Sequence, residues 1–139
     1  MDLFKELVIA DYTFAKDKIF ANLTLSDEEM RLYEKVWQPL SESLPKPDLV
    51  IHLTATVETC LSRIKLRGRS FEKSITADYL KQLTEAYNYF FHHYRETPLL
   101  VVDTNQIDFV KRKDDLEDLI RQITRPFRGT QFYVPRGSR

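Results

Sequence analysis

The most basic stretch of the chain combines Arg63, Lys65, Arg67 and Arg69 with one glycine, Gly68. A guanidinium group can bind two phosphate oxygens at once and keeps its charge near neutral pH. Arginines on a mobile segment could therefore close over a transferring phosphoryl group and stabilise its negative charge. The same residues at a helix end could equally form a solvated basic face that interacts favourably with the helix dipole.

Two aspartates, Asp11 and Asp17, are candidates for acidic chemistry. Asp11 directly follows the apolar run of residues 7–10. A carboxylate at the end of a strand can bind Mg²⁺ or position a hydroxyl nucleophile, although it can also cap the following helix. Asp17 could hydrogen-bond a ligand base or simply face solvent.

The glycine content excludes two common nucleotide-binding loops within this sequence. The chain has three glycines, Gly68, Gly129 and Gly137. A Walker A loop needs two glycines with fixed spacing followed by Lys and Ser or Thr, and a dinucleotide-binding turn needs three glycines close together. No placement of these three glycines satisfies either pattern.

Composition narrows the classes of partner. Lys and Arg number 21 and Asp and Glu number 21, so the formal net charge is zero. This balance argues against a general nucleic-acid or membrane-surface binder but allows a local basic patch. The single cysteine, Cys60, excludes a disulfide framework and a cysteine-rich zinc site. With no apolar run long enough for a membrane span and no signal peptide, we expect a cytoplasmic protein.

The elements that must position these residues alternate between strands and helices. Such alternation predicts an open α/β sheet, whose ligands bind beyond the carboxyl ends of the strands. Asp11, residues 55–56 and residues 103–105 occupy those positions. The predicted strands are continuously apolar, as in parallel sheets covered on both faces: residues 7–10, 49–53 and 99–102. Helices are expected at 13–22, from 26 to a kink or an end at Pro39, and at 57–66, 77–94 and 114–123, with residues 126–139 as an irregular tail. Ser26 with Glu29 forms a capping-box pattern, Thr54 or Thr56 precedes the third helix, and Thr76 opens the fourth.

One segment closely resembles the lid of the deoxynucleoside kinases, in particular that of bacterial deoxyadenosine/deoxyguanosine kinase-like members. In that family an arginine is followed, after three residues, by Arg-Gly-Arg and, after two more, by Glu. Residues 63–75, hereafter the lid, show this order. The resemblance implies that Arg63, Arg67 and Arg69 contact phosphates and that Glu72 accepts the 3′-hydroxyl of the deoxyribose.

A second segment, residues 11–21, resembles the acidic-Arg-Ser motif of the same family, which is followed by an aspartate and Phe-Ala. The resemblance implies that Asp11 acts near Mg²⁺ and that Asp17 reads the base. Tyr12 stands where the family commonly has arginine, and Thr13 stands where it has serine.

A third segment, residues 102–105 together with Phe109, resembles the loop that surrounds the adenine of ATP. By this resemblance Asp103, Asn105 and Phe109 are expected to bind the nucleotide, mostly through backbone groups, together with Arg67.

These resemblances imply a P-loop NTPase-like open parallel sheet with flanking helices, whose N-terminal strands are missing from this chain. In the family the first strand carries the P-loop and lies upstream of the segments found here. Residues 1–125 are therefore expected to form the C-terminal part of the kinase domain. The implied reaction transfers the γ-phosphoryl group of ATP, with Mg²⁺, to the 5′-hydroxyl of a deoxynucleoside, with a purine favoured.

Without a Walker A loop, the isolated chain is expected to be inactive. We also expect a homodimer that binds small molecules rather than nucleic acid or membrane. Two alternatives stay open from the sequence. One is a thymidylate-kinase-like nucleotide kinase, whose acceptor is a monophosphate. The other is a non-catalytic kinase remnant that self-associates.

Overall fold

The computed structural model describes residues 7–11, 14–70, 74–126 and 128–135. It divides the chain into two compact units, Met1–Leu44 and Pro45–Arg139. Three residues named in the sequence comparison, Tyr12, Thr13 and Glu72, lie outside the described residues.

The first unit is a pair of helices, α1 (Phe14–Thr24) and α2 (Asp27–Ser43). Ser26 caps α2, because its hydroxyl accepts a hydrogen bond from the Glu29 backbone N–H at 3.2 Å and donates to the Glu29 carboxylate at 2.9 Å. The first bond is the N-cap half of the predicted capping box, while the second joins the two side chains instead of the Glu29 carboxylate and the Ser26 backbone N–H. The helix continues past Pro39 rather than ending there.

Aromatic and cationic side chains join the two helices. The rings of Phe14 and Trp37 stack with centroids 5.5 Å apart, and the Lys18 ammonium lies 4.7 Å from the Trp37 ring centroid. Positive charge over an indole face is a favourable cation–π geometry.

The predicted strand at residues 7–10 is wrong. These residues form no regular structure, and Leu7, Val8 and Ile9 are between 81% and 87% exposed. A strand requires a neighbour that pairs with its backbone groups. In the described part of the chain no strand pairs with this segment.

The second unit is the predicted α/β sheet with helices along the chain. Its strands are β1 (Val50–Thr54), β2 (Leu99–Asp103) and β3 (Thr130–Tyr133), and they run parallel in the order β1-β2-β3. Its helices are α3 (Val57–Arg67), α4 (Ala77–His92) and α5 (Lys113–Ile123). Val50 lies opposite Leu99, and Leu99 opposite Thr130. The prediction of a parallel sheet with flanking helices is confirmed.

The C-terminal tail is not wholly irregular, contrary to the prediction. Residues 130–133 form β3, which pairs with β2 directly after Gly129. Gly129 adopts a φ of 63°, a left-handed conformation that glycine accepts without steric cost. The strand was missed because it is half-exposed and polar in part, unlike the apolar runs of β1 and β2.

One core cluster of the second unit lies between the sheet and α5. Leu100 and Val102 of β2 pack with Ile107 and with Leu119 of α5. Among the described residues, no helix combines the length and the apolar character that crossing a membrane requires.

Candidate functional site

The carboxyl ends of β1 and β2 are tied together by one buried threonine. The backbone N–H and the hydroxyl of Thr104 both donate to the Thr54 carbonyl oxygen at 2.8 Å. Thr104 is 5% exposed. The segment that follows β2, residues 104–112 and hereafter the β2–α5 loop, therefore begins at a fixed point above the sheet.

The next residues of this loop are shaped by an aspartate–asparagine pair. The backbone N–H and the side-chain amide of Asn105 both donate to Oδ1 of Asp103, at 2.9 and 2.8 Å. The Asn105 Oδ1 atom accepts from the Thr56 backbone N–H at 2.8 Å. The side-chain amide of Asn105 thus joins the β1 and β2 ends, and contacts from this loop to a ligand would rely on other groups, the backbone among them.

Helix α3 starts at these strand ends. Thr56 is its N-cap, and the Thr56 hydroxyl accepts from the Thr59 backbone N–H at 3.2 Å. This bond satisfies one of the free N–H groups that every helix start presents. The arginines of residues 63–69, hereafter the arginine block, are carried by the far end of this helix.

Arg63 reaches back from α3 to the β2–α5 loop. Its Nη1 donates to the Thr104 hydroxyl at 2.8 Å, and its Nη2 donates to the Ile107 carbonyl oxygen at 3.2 Å. Its Nη2 also donates to the Thr104 carbonyl oxygen. The first predicted lid arginine therefore touches the loop that was predicted to surround the adenine.

Arg67 and Arg69 lie on either side of the helix end. Helix α3 finishes at Arg67, and Gly68 caps it with a φ of 66° and an N–H bond to the Ile64 carbonyl oxygen at 3.2 Å. A glycine in this left-handed conformation is a common helix terminator, because other residues adopt it at a steric cost. Both arginines are exposed. Glu72, predicted to accept the sugar hydroxyl, lies outside the described residues.

The two acidic candidates belong to the first unit. Asp11 is exposed and precedes α1. Asp17 lies in the first turn of α1, and its Oδ2 accepts a hydrogen bond from the Tyr33 hydroxyl of α2 at 2.5 Å. The role of Tyr33 was missed because a tyrosine at a helical interval looks like an ordinary packing residue.

Phe109 and its neighbour Asp108 stabilise the second half of the β2–α5 loop. Phe109 packs against the core cluster. The Asp108 carboxylate accepts from the backbone N–H groups of Lys111 and Val110, at 2.9 and 3.0 Å. Both hydrogen bonds favour the charged form of the Asp108 carboxyl and keep its pKa below its ordinary value. The bond from Lys111 has the larger effect.

A cavity of about 300 Å³ opens beyond the carboxyl ends of the strands. This is where open α/β sheets bind their ligands. The expectation that ligands bind beyond the carboxyl ends of the strands had already pointed to Thr56, Asp103 and Asn105. The other residues that line the cavity are uncharged and belong to no motif, so the sequence did not indicate them. The cavity is lined by Thr56, Thr59, Asp103, Asn105, Gln106, Val134 and Pro135.

No group of three or more His, Cys, Asp or Glu side chains that could hold a metal ion occurs in the ranges that the structure describes. Mg²⁺ in phosphoryl-transfer sites is commonly held by one or two carboxylates together with phosphate oxygens and waters. A single carboxylate such as Asp11 fits that mode of binding, whereas a cage made only of protein ligands would not fit these residues.

Comparison with known proteins identifies the family. The sequence model of the family described as "Deoxynucleoside kinase" matches residues 3–127. The chain belongs to the deoxynucleoside kinase family. The resemblance inferred from the three segments is thereby confirmed at the level of the family.

Individual deoxynucleoside kinases align over most of the chain. Deoxyguanosine kinase of Bacillus subtilis is 39% identical over 120 residues, which cover 84% of this chain and 58% of that protein. Deoxyadenosine kinase of Dictyostelium discoideum is 35% identical over 130 residues, which cover 89% of this chain and 51% of that protein. Human deoxycytidine kinase is 30% identical over 133 residues, which cover 86% of this chain and 49% of that protein. The chain thus spans about half to three fifths of the length of these relatives.

Proposed function

We propose that the chain is the C-terminal part of an ATP-dependent deoxynucleoside kinase, which transfers the γ-phosphoryl group of ATP to the 5′-hydroxyl of a deoxynucleoside. Membership of the family supports the reaction class. The observation that carries the proposal is the contact of Arg63 with Thr104 and Ile107. This contact joins the helix that bears the arginine block to the loop at the carboxyl ends of the sheet.

Arg67 and Arg69 are proposed to contact the phosphates. Both are exposed and sit next to the glycine that terminates α3. Fixed guanidinium groups stabilise the charge of a transferring phosphoryl group without costly solvent reorganisation. This role requires the arginines to reach oxygen atoms bidentately, which lysine in the same place would not reproduce.

The acidic residues are proposed to hold the metal, the base and the sugar. Asp11 would help to hold Mg²⁺, which supplies charge neutralisation at the phosphates when it is bound. Asp17 would read the base through its carboxylate, whose Oδ2 atom accepts a hydrogen bond from the Tyr33 hydroxyl. Glu72 would accept the 3′-hydroxyl of the deoxyribose. Asp103, Asn105 and Phe109 would shape the adenine site.

A purine deoxynucleoside is the proposed acceptor. Relatives named deoxyguanosine kinase and deoxyadenosine kinase are 39% and 35% identical, against 30% for human deoxycytidine kinase. An ionised carboxylate such as that of Asp17 only accepts hydrogen bonds. It can pair with the amino group of adenine or with the N–H groups of guanine.

The isolated chain is proposed to be inactive and to form a homodimer in the cytoplasm. Its three glycines cannot form a Walker A loop, so no nest of backbone N–H groups is available for the β-phosphate. Light scattering of the purified chain tests the oligomeric state. A stable monomer would contradict the dimer and would weaken the alternative of a self-associating remnant.

Acceptor choice tests the proposed reaction. The chain would be fused behind a segment that carries a Walker A phosphate-binding loop, and the product is hereafter called the joined kinase. We expect it to phosphorylate deoxyadenosine and deoxyguanosine with ATP, and not dAMP, dGMP or dTMP. Turnover of monophosphates alone would favour the nucleotide-kinase alternative. A folded joined kinase with no turnover on any acceptor would favour the non-catalytic remnant.

A further inference from the structure

The guanidinium group of Arg63 is bound to the protein itself. Its three acceptors are the Thr104 hydroxyl, the Thr104 carbonyl oxygen and the Ile107 carbonyl oxygen. All three belong to the β2–α5 loop, 41 to 44 residues further along the chain. The side chain therefore forms a long-range connection between α3 and this loop.

The stereochemistry of these bonds limits what else Arg63 can do. A guanidinium group has five N–H donors, and it binds phosphate bidentately along one of two edges. One edge pairs Nη1 with Nη2, and the other pairs Nε with Nη2. Because Nη2 already donates to both Thr104 and Ile107, neither edge is free as long as these bonds last.

The acceptors of Arg63 are also buried groups that need a partner. Thr104 and Ile107 are each 5% exposed, and Ile107 belongs to the core cluster with Leu100 and Val102. A buried carbonyl oxygen without a hydrogen bond is costly. The Thr104 carbonyl oxygen also accepts from the Ile107 N–H at 3.4 Å, so the donors of Arg63 matter most for the Ile107 carbonyl oxygen and the Thr104 hydroxyl. The Thr104 hydroxyl completes the connection by donating to the Thr54 carbonyl oxygen at the end of β1.

We infer that Arg63 is a positioning residue that fixes the β2–α5 loop to α3, and that it is not a phosphate ligand. The inference rests on the proposed function in one respect, namely that this loop surrounds the adenine. It divides the arginine block: Arg63 orders the nucleotide-binding loop before any ligand arrives, whereas Arg67 and Arg69 keep the role of phosphate ligands that is proposed above. Thr104 is the second member of the connection.

Amide hydrogen exchange of the 139-residue chain, with no nucleotide present, tests this inference. In Arg63→Met we expect the Ile107 amide, which donates to the Thr104 carbonyl oxygen, to exchange about tenfold faster, the scale of one lost hydrogen bond. The matched control is Lys65→Met, which removes one positive charge from the same helix. It should leave exchange in the loop unchanged.

A milder pair of variants covers the case in which Arg63→Met fails to fold. Thr104→Val removes the hydroxyl and should accelerate exchange in the loop, whereas Thr104→Ser keeps it and should restore exchange to the original rate. The amides of β2 serve as an internal reference for global opening. Acceleration that is equal in the loop and in β2 would mean general destabilisation and would contradict a local positioning role.

Equal loop exchange in Arg63→Met and Lys65→Met would overturn the inference, as would identical exchange in Thr104→Val and Thr104→Ser. An arginine at position 63 that serves only as a phosphate ligand predicts the first result, because no phosphate is present. The second result would mean that the Thr104 hydroxyl, which also donates to the Thr54 carbonyl oxygen, does not order the loop. The experiment involves no turnover. Failure of the kinase proposal would appear in the acceptor assay, and failure of this inference would appear in the exchange rates.

Discussion

The two ends of the arginine block differ in their surroundings, although they share one residue type. Arg63, the inner end, donates to the buried Thr104 and to Ile107 of the β2–α5 loop. Arg67 and Arg69, the outer end, lie on either side of the left-handed Gly68. All three arginines are exposed, so exposure does not distinguish the two ends. A cluster of like charges in sequence can thus contain one residue that orders a distant loop and others for which a ligand-binding role is proposed.

Removing an outer arginine should have the largest effect. In the joined kinase, Arg67→Gln is expected to lower kcat on the order of a thousandfold, because a guanidinium at the transferring phosphoryl group is lost. Steady-state kinetics with deoxyadenosine measures this. Lys65→Gln removes the same charge from the same helix and should change kcat little. Equal losses in the two variants would mean that only the net charge of the block matters.

Acid should weaken the sheet on which the inner end depends. His52 of β1 is 8% exposed and stacks on Phe91 at 4.4 Å, and burial lowers the pKa of His52 from 6.5 to about 4. As the pH falls, the unfolded chain takes up a proton at His52 before the folded chain does. The stabilisation that neutral His52 gives the folded chain is therefore complete above pH 6.5 and is lost as the pH falls towards 4. The free energy of unfolding should drop by up to about 3 kcal/mol across this window.

Denaturant unfolding between pH 7 and pH 4 measures the slope of the free energy of unfolding against pH. His52→Phe is the control, because its side chain cannot bind a proton at this position. The difference between the two proteins isolates His52 from the carboxyl groups that titrate in the same range. A slope that is unchanged in His52→Phe would show that the ring is already solvated in the folded chain.

Removing the inner arginine should change the KM for ATP rather than kcat. Lysine at position 63 cannot reach three acceptors in the loop, so Arg63→Lys in the joined kinase is expected to raise the KM for ATP about tenfold. The KM for the deoxynucleoside and kcat should change little. A fall in kcat like that of Arg67→Gln would remove the distinction between the two ends.

The smallest expected effect concerns Gly68, which ends α3 and lies between the two outer arginines. A side chain at Gly68 meets no atom within 4 Å, but its φ of 66° disfavours any residue with a Cβ. Gly68→Ala should therefore lower the free energy of unfolding by about 1 kcal/mol through the backbone alone. Thermal unfolding measures this, and Gly129→Ala, at a φ of 63° in the same unit, should behave alike. A neutral or stabilising Gly68→Ala would show that α3 does not end at this residue in solution.

The sequence predicted the parts of the fold that depend on local pattern. Continuous apolar residues identified β1 and β2, and Ser26, Thr56 and Thr76 were recognised as possible helix starts before the structure placed each as an N-cap. The lid pattern also led to the correct family. These successes share a cause, because each signal lies within a few residues of the feature that it predicts.

The failures arise where a distant partner decides the outcome. Residues 7–10 have the composition of a strand but no paired neighbour among the described residues. Residues 130–133 lack that composition, yet they pair with β2. The connection between Arg63 and Thr104 spans 41 residues and involves carbonyl groups that leave no mark on the sequence.

The most direct test of the account compares two proteins in one assay, the 139-residue chain alone and the joined kinase. Transfer of the γ-phosphoryl group of ATP to deoxyadenosine and deoxyguanosine would be followed for both. We predict turnover by the joined kinase and none by the chain alone, since the arginine block needs a phosphate-binding loop beside it. Turnover by the 139 residues alone, or none by a correctly folded joined kinase, would contradict the account.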